Sequence, residues 1–266
     1  PAPRLPKGPV SSMASSATPS PRAGASVRPD QATAALVLAD GAVFRGRGIG
    51  ATAQAVGEVC FNTSITGYQE ILTDPSYAGQ IVNFTFPHIG NVGANPEDTE
   101  TATPAARGLV LRADITRPSN WRAAQPLNAW LESMNLVGIA GVDTRRLTRR
   151  IRDGGAPNGV VVHARDGAVD IAAALAAARE FPGLEGMDLA KTVSCTQSYG
   201  WTTTRWRLGT GFGEQTAPRR HVVAIDYGAK HNILRCLADA GCRVTVVPAT
   251  ATGDDVLRHA PDGVFL

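Results

Sequence analysis

Short apolar runs separated by turn-forming residues dominate the chain from Ala34 to about residue 190. The first two runs lie in segment 34–46 on either side of Asp40-Gly41, a dipeptide that readily takes the positive φ angles of a tight turn, and they predict a β-hairpin. Further strands are predicted where short runs of apolar, often β-branched residues recur, at 58–64, 80–86, 108–114, 136–142 and 159–164.

Three helices are predicted among these strands. One begins after Pro126, because proline suits the first helical turn, and a second begins with Asp143 as its N-cap. A third is the alanine-rich run at 170–181. Since strands outnumber helices, residues 34–190 are predicted to form one mixed, β-rich domain.

The hydrophobic pattern changes in the last quarter of the chain. Residues 191–220 show no sustained helical or strand period and are expected to be a connector. Three apolar strands follow, separated by two short helical patterns, at 221–228, 243–249 and 263–266. This βαβαβ series predicts the start of a doubly wound parallel sheet, so the overall class is α/β. The unit at 221–266 is expected to be truncated, because three parallel strands leave an unpaired edge and a small core.

Residues 1–33 are expected to be a disordered leader, since they are rich in Pro, Ser and Ala and lack apolar periodicity. They carry four of the 26 basic and one of the 23 acidic residues, which leaves 22 of each sign in the remainder. A formally neutral remainder argues against a nucleic-acid partner. No run has the apolar length of a transmembrane helix and the N-terminus lacks a secretory signal, so a cytoplasmic protein without membrane contact is expected.

The four cysteines give no sign of a disulfide framework or a metal site. Cys60, Cys195, Cys236 and Cys242 form no CxxC pair and have no zinc-type spacing with the histidines. Cys60 and Cys236 lie in apolar periodic contexts, where a small core residue is the expected role.

Glycine clusters at 46–50 and 209–213 do not match the dinucleotide fingerprint between a strand and a helix, so they predict turns. Gly228-Ala229-Lys230 follows a predicted strand and opens a helix, but it lacks the remaining residues of a phosphate-binding P-loop. A nucleotide-binding α/β protein is therefore disfavoured.

Two further segments allow both a structural and a functional interpretation. The turn Asp74-Pro75-Ser76-Tyr77 needs no ligand, although the hydroxyl at its tip is well placed to bind one. The second predicted helix carries basic residues that form either a solvated, salt-bridged face or an interface with an acidic partner: Arg145, Arg146, Arg149, Arg150 and Arg152.

Five long blocks of the sequence point to a known family. The blocks are GEVCFNTSITGYQEILTDPSYAGQIV (57–82), FPHIGNVGAN (86–95), GIAGVDTRRLTRRIRDGGAPNGVV (138–161), FPGLEGMDLAK (181–191) and VVAIDYGAKHNILRCLADAGCRVTVVPA (222–249). They closely resemble the small, glutamine-hydrolysing subunit of carbamoyl phosphate synthetase, occur in family order and together span residues 35–266.

The resemblance implies a family-specific N-terminal domain followed by a class I glutamine amidotransferase domain. In the family, a Cys-His-Glu triad hydrolyses glutamine, and the ammonia passes through a tunnel to a large subunit that uses ATP and a divalent metal ion. The heterodimer is a ligase that makes carbamoyl phosphate from bicarbonate for arginine and pyrimidine synthesis. The family triad would lie beyond Leu266, so no catalytic residue and no cofactor is assigned to this chain, which is expected not to hydrolyse glutamine by itself.

Two site residues are carried over from the resemblance. Ser76 matches the family serine that contacts bound glutamine from the N-terminal domain, and Lys230 matches a lysine near that pocket. Lysine beside a helix N-terminus is unfavourable with respect to the helix dipole, so Lys230 is either there for a local reason or a chance surface residue. A hypothesis of a different class is a non-catalytic binding or scaffold protein that keeps the N-terminal domain alone.

Overall fold

The computed structural model describes residues 31–266. The predicted leader lies outside these residues except for its last three positions. Of these, Thr33 joins the folded part, because its hydroxyl accepts a hydrogen bond from the Gly48 amide at 2.8 Å and its amide donates to the Gly46 carbonyl at 3.0 Å.

Seven strands form a closed barrel, and they include every strand that the sequence predicts before residue 190. Their bounds are β1 Ala34–Leu38, β2 Val43–Gly50, β3 Gln54–Asn62, β4 Gln80–Phe84, β5 Gly108–Val110, β6 Val137–Ala140 and β7 Asn158–His163. The order around the barrel is β1-β2-β6-β5-β4-β3-β7. Strands β3 to β6 pair in parallel, whereas β1 pairs antiparallel with both β2 and β7, so the domain is mixed, as predicted.

Strand β1 is buried on both faces, because the barrel core covers one face and a helix outside the barrel covers the other. Leu36 and Leu38 point into the barrel core, while Ala35 and Val37 contact the helix. This helix, Ile171–Glu180, packs its small residues Ala174 and Ala178 against the strand. A strand with an apolar layer on each side reads as a continuous apolar run.

The helices around the barrel are α1 Tyr68–Thr73, α2 Leu127–Ser133, α3 Thr144–Gly154, α4 Ile171–Glu180 and α5 Leu189–Val193. The predicted starts of α3 and α4 are confirmed, because the N-cap carboxylates of Asp143 and Asp170 accept from the backbone amides of Arg146 and Ala173. The sequence did not predict α1, which has six residues and no side-chain cap.

A second, four-stranded sheet follows the barrel in the order β11-β9-β10-β8. Its elements are β8 Tyr199–Trp201, β9 Arg220–Asp226, α6 His231–Asp239, β10 Cys242–Pro248, α7 Gly253–Leu257 and β11 Gly263–Phe265. The three predicted strands are parallel, as expected.

Residues 191–220, which are predicted to be a connector, contain elements that the sequence pattern does not show. The end of α5 and the strand β8 lie within this segment, and β8 pairs antiparallel with β10 through residues Tyr199, Gly200 and Trp201. Three residues are too few to show a period, so only tertiary pairing reveals the strand. One edge of the parallel unit is thereby covered.

Residues 31–266 contain no helix with the length and apolar character that crossing a membrane requires.

Two histidines, the buried His221 in β9 and the half-buried His231 at the start of α6, are expected to make the stability of this part depend on pH. Burial lowers the pKa of His231, whose ring stacks on Trp201 with centroids 4.8 Å apart, and burial also lowers the pKa of His221. A group with a lowered folded pKa binds its proton more readily when unfolded. Stability is therefore full above the ordinary value of 6.5 and declines as the pH falls through it. Thermal melts from about pH 7.5 to about pH 5.5 should show this decline.

The double variant His221→Gln/His231→Gln should show a flatter dependence over the same range, because it cannot take up these protons. His88→Gln, which changes an exposed histidine, is the matched control and should keep the original slope. Identical slopes for the double variant and the parent would contradict the assignment.

Candidate functional site

The turn at the end of α1 presents a serine to solvent on a rigid support. It is a short 3-10 turn, Pro75–Tyr77, and the Asp74 side chain caps it by accepting from the Ser76 amide at 2.9 Å. The Tyr77 hydroxyl accepts from Asn62 on β3 at 2.8 Å, which fixes the turn to the barrel. Asp74 is buried, whereas Ser76 is exposed at the tip.

The loop after β9 is held by a buried carboxylate. Asp226, the last residue of β9, accepts from the amides of Gly228 at 3.0 Å and Ala229 at 2.8 Å through one oxygen. Its other oxygen accepts from the Cys195 amide at 2.7 Å. These bonds fix the loop at the carboxyl end of the first parallel strand, the edge where ligands of open α/β sheets bind.

Gly228 allows this loop to reach the barrel. Its φ is +98°, and a Cβ atom there would lie 2.8 Å from Val193 Cγ2 and 3.0 Å from Pro75 Cβ. Both the positive φ and the close approach favour glycine. The turn that carries Ser76 and the loop after β9 therefore touch.

Ser76 and Lys230 lie beside the same carboxylate. Lys230 Nζ donates to Asp74 Oδ2 at 2.8 Å, while Asp74 Oδ1 accepts from the Ser76 amide. This hydrogen bond raises the pKa of Lys230, so the side chain is a cation at neutral pH. The structure thus brings together the two residues singled out in the sequence, and Asp74 supplies the local reason for a lysine at this helix start.

The sequence does not predict the roles of three residues that build the site, namely Asp74, Asp226 and Glu100. Glu100, in the loop before β5, accepts from the first two amides of α6. The sequence contains one indirect indication of Glu100: the residue before α6 is Lys230, whose side chain cannot cap a helix, so an acceptor must come from elsewhere. The sequence does not indicate which distant residue supplies that acceptor.

The cysteines do not form a nucleophilic centre. Burial, together with the charge of Glu58, raises the pKa of Cys60 to about 12, and burial also raises the pKa of Cys195 beside Asp226. A thiol with a raised pKa is a poor nucleophile at neutral pH. Cys60 packs against the barrel core as predicted, but the prediction for Cys236 is wrong, because that side of α6 is exposed.

A polar groove of about 220 Å³ runs between the barrel and the residues before β9. On one wall, Arg122 pairs with Asp98 at 2.7 Å and stacks over Trp206 at 4.5 Å. On the other, Arg235 stacks over Phe212 at 4.3 Å. Within residues 31–266, no group of three or more His, Cys, Asp and Glu side chains is arranged to hold a metal ion.

The arginine-rich side of α3 is exposed and partly paired. Arg150 forms an ion pair with Asp40, Arg152 pairs with Asp153 at 2.8 Å, and Arg146 lies 5.6 Å from the Phe44 ring centroid. These contacts are those of a solvated, salt-bridged face.

Comparison with known proteins finds one family to which the chain is similar. Residues 36–161 match the family model described as carbamoyl-phosphate synthase small chain, CPSase domain. The carbamoyl phosphate synthase small chain of Ruegeria pomeroyi is 64% identical over 234 residues, which are 88% of this chain and 60% of that protein. Those of Bradyrhizobium diazoefficiens and Brucella canis are each 58% identical over 238 residues, 88% of this chain and 60% and 58% of those proteins. The chain thus spans about three fifths of the length of the curated relatives it matches.

A closed mixed barrel with one turn docked on the first loop of a parallel α/β sheet defines a two-part α/β protein. With the matches above, the chain is similar over 88% of its length to carbamoyl-phosphate synthase small chains, and residues 36–161 match the CPSase domain of that family.

Proposed function

We propose that this chain acts as the small chain of a glutamine-dependent carbamoyl phosphate synthase, in which the small chain hydrolyses glutamine and passes ammonia to a large chain. The large chain then uses ATP and a divalent metal ion to make carbamoyl phosphate, which makes the heterodimer a ligase. We also propose that residues 221–266 begin a class I glutamine amidotransferase domain. The observation that carries the proposal is that Asp74 contacts both the Ser76 amide and the Lys230 ammonium, beside the loop that follows β9.

The groups at this junction suit an amino-acid substrate. A lysine ammonium has three donors, of which Asp74 uses one, so donors remain for a substrate carboxylate. The Ser76 hydroxyl is exposed and can both donate and accept, which suits a carboxamide. Because Ser76 comes from the barrel and Lys230 from the second sheet, glutamine would bind only when the two parts are docked.

The role we assign to these residues is binding and orientation. Attack on the amide needs an activated thiolate. The raised pKa values of Cys60 and Cys195 oppose their ionisation to a thiolate. The rings of His163 and His221 do not activate a thiol, because they are hydrogen-bonded to the Ala51 carbonyl and the Thr245 hydroxyl. We therefore propose that the 266 residues alone bind but do not hydrolyse glutamine.

Ser76→Ala tests this assignment in the full-length small chain assembled with its large chain. The variant removes one hydroxyl but keeps the amide that Asp74 caps, so the turn should remain folded. We expect the KM for glutamine to rise about three- to tenfold, the cost of one hydrogen bond, while synthesis from ammonia stays largely intact. Steady-state kinetics with glutamine and with ammonia as nitrogen donor measure both effects.

Ser119→Ala, at an exposed serine of the barrel, is the matched control and should leave both KM values unchanged. The 266-residue chain without the large chain should release no ammonia from glutamine. An unchanged glutamine KM in Ser76→Ala would remove the role given to Ser76. A parent complex that makes no carbamoyl phosphate from either donor would favour the non-catalytic scaffold instead.

A further inference from the structure

Helix α6 begins without a capping side chain of its own. The residue before it is Lys230, whose side chain makes no bond to the first turn, although Ser, Thr, Asp or Asn is preferred there. The first amides of a helix have no partner within the helix, and they need acceptors from elsewhere. The positive end of the helix dipole also disfavours a lysine at this place.

Glu100 supplies the missing acceptors from the barrel side. Its carbonyl oxygen accepts from the His231 amide at 3.1 Å, and its carboxylate Oε2 accepts from the Asn232 amide at 2.9 Å. The carboxylate also places a negative charge at the positive end of α6. The helix is therefore capped by a residue 132 positions earlier in the chain.

Buried polar groups of α1 hold Glu100 in place. The Thr73 hydroxyl, which is 1% exposed, accepts from the Glu100 amide at 2.9 Å. One turn earlier in the helix, the buried Gln69 side chain donates to the Asn95 carbonyl at 2.6 Å and accepts from the Asn95 amide at 3.0 Å. Buried polar side chains need partners, and both of these use theirs to fix the loop that carries Glu100.

The end of α1 thus contacts α6 in two ways. Thr73 positions Glu100, which caps the helix, and the next residue, Asp74, binds Lys230 immediately before that helix. The same Asp74 caps the turn that presents Ser76. The start of α6 and the Ser76 turn are consequently placed relative to each other by Thr73, the last residue of α1, and by Asp74, which follows it.

We propose that Glu100 is a positioning residue, which caps α6 across the junction and so sets Lys230 against Asp74 and the Ser76 turn. Its effect on glutamine rests on the proposed function. The cap itself stands on the hydrogen bonds and can be tested without any activity.

Hydrogen exchange of the Asn232 amide tests the cap in the 266-residue chain. Glu100→Ala removes the acceptor, and we expect exchange to speed up about fivefold, as loss of an N-cap side chain predicts. Glu100→Gln keeps an acceptor oxygen and should retain most of the protection. Glu185→Gln, which changes an exposed glutamate before α5, is the matched control and should exchange like the parent. Unchanged Asn232 exchange in Glu100→Ala would overturn the cap.

Kinetics of the full-length small chain with its large chain test the positioning role. We expect Glu100→Ala to raise the KM for glutamine several-fold with a smaller change in kcat, and Glu100→Gln to recover most of the loss. If Glu100→Ala speeds up Asn232 exchange but leaves the glutamine KM unchanged, Glu100 only caps the helix and the positioning role is wrong. This outcome differs from failure of the proposed function, in which Ser76→Ala itself leaves the glutamine KM unchanged.

Discussion

Gly46→Ala is expected to destabilise the protein by about 3 kcal/mol, because the barrel has no room for a side chain at this position. A Cβ atom there would lie 2.2 Å from the Ala140 carbonyl oxygen and 2.8 Å from Ile139 Cγ1. Both neighbours belong to β6, which pairs with β2 in the barrel wall. The carbonyl cannot move away without disturbing that ladder, and a closed barrel has no free edge along which to relax. Urea denaturation followed by circular dichroism measures the loss.

Gly154→Ala is the matched control. This glycine is the last residue of α3, and nothing lies within 4 Å of a Cβ atom built there. Alanine should stabilise the protein by about 0.5 kcal/mol, since it restricts the unfolded chain without a clash. If both substitutions changed stability in the same direction and by similar amounts, the close packing of β2 on β6 would be wrong.

The sequence predicted the strands of the barrel but not its closure. Hydrophobic alternation and turn residues are local signals, and they placed the hairpin β1–β2 and the later strands correctly. Closure depends on pairing of β1 with β7, which joins Ala34 to His163, far apart in the chain. No local pattern specifies which distant strand becomes a neighbour. The short helix α1 and strand β8 were missed for a related reason, since few residues show no period.

The candidate site was predicted only in part. Ser76 and Lys230 came from the family resemblance, and the structure adds that Asp74 contacts both. Asp74 belongs to the same turn as Ser76, yet nothing in the sequence shows that one of its oxygens is free for a lysine from another domain. Cys236 shows the opposite limit. Its position in an apolar periodic pattern predicted burial, but the face of α6 that carries it lies in solvent.

Asp74→Ala is the second substitution for which we expect a large effect. It removes the cap of the Ser76 turn, which costs about 1 kcal/mol, and it leaves Lys230 without its partner. The Asp74 side chain is 10% exposed and the Lys230 side chain 40%, so solvent screens part of the ion pair and its loss adds only about 1 kcal/mol. The expected total is a loss of about 2 kcal/mol in urea denaturation.

A double-mutant cycle separates the two contributions. Asp74→Asn keeps an oxygen that can accept from the Ser76 amide, so combining it with Lys230→Met isolates the ion pair, with an expected coupling of about 1 kcal/mol. The exposed pair Arg152–Asp153 is the control, and its coupling should be too small to measure, because solvent screens both charges. A coupling near zero for Asp74 and Lys230 would show that this ion pair does not join the barrel to the second sheet. The Glu100 cap would then be the contact that holds the start of α6 to the barrel, and Glu100→Ala should lower the free energy of unfolding more than Asp74→Ala does.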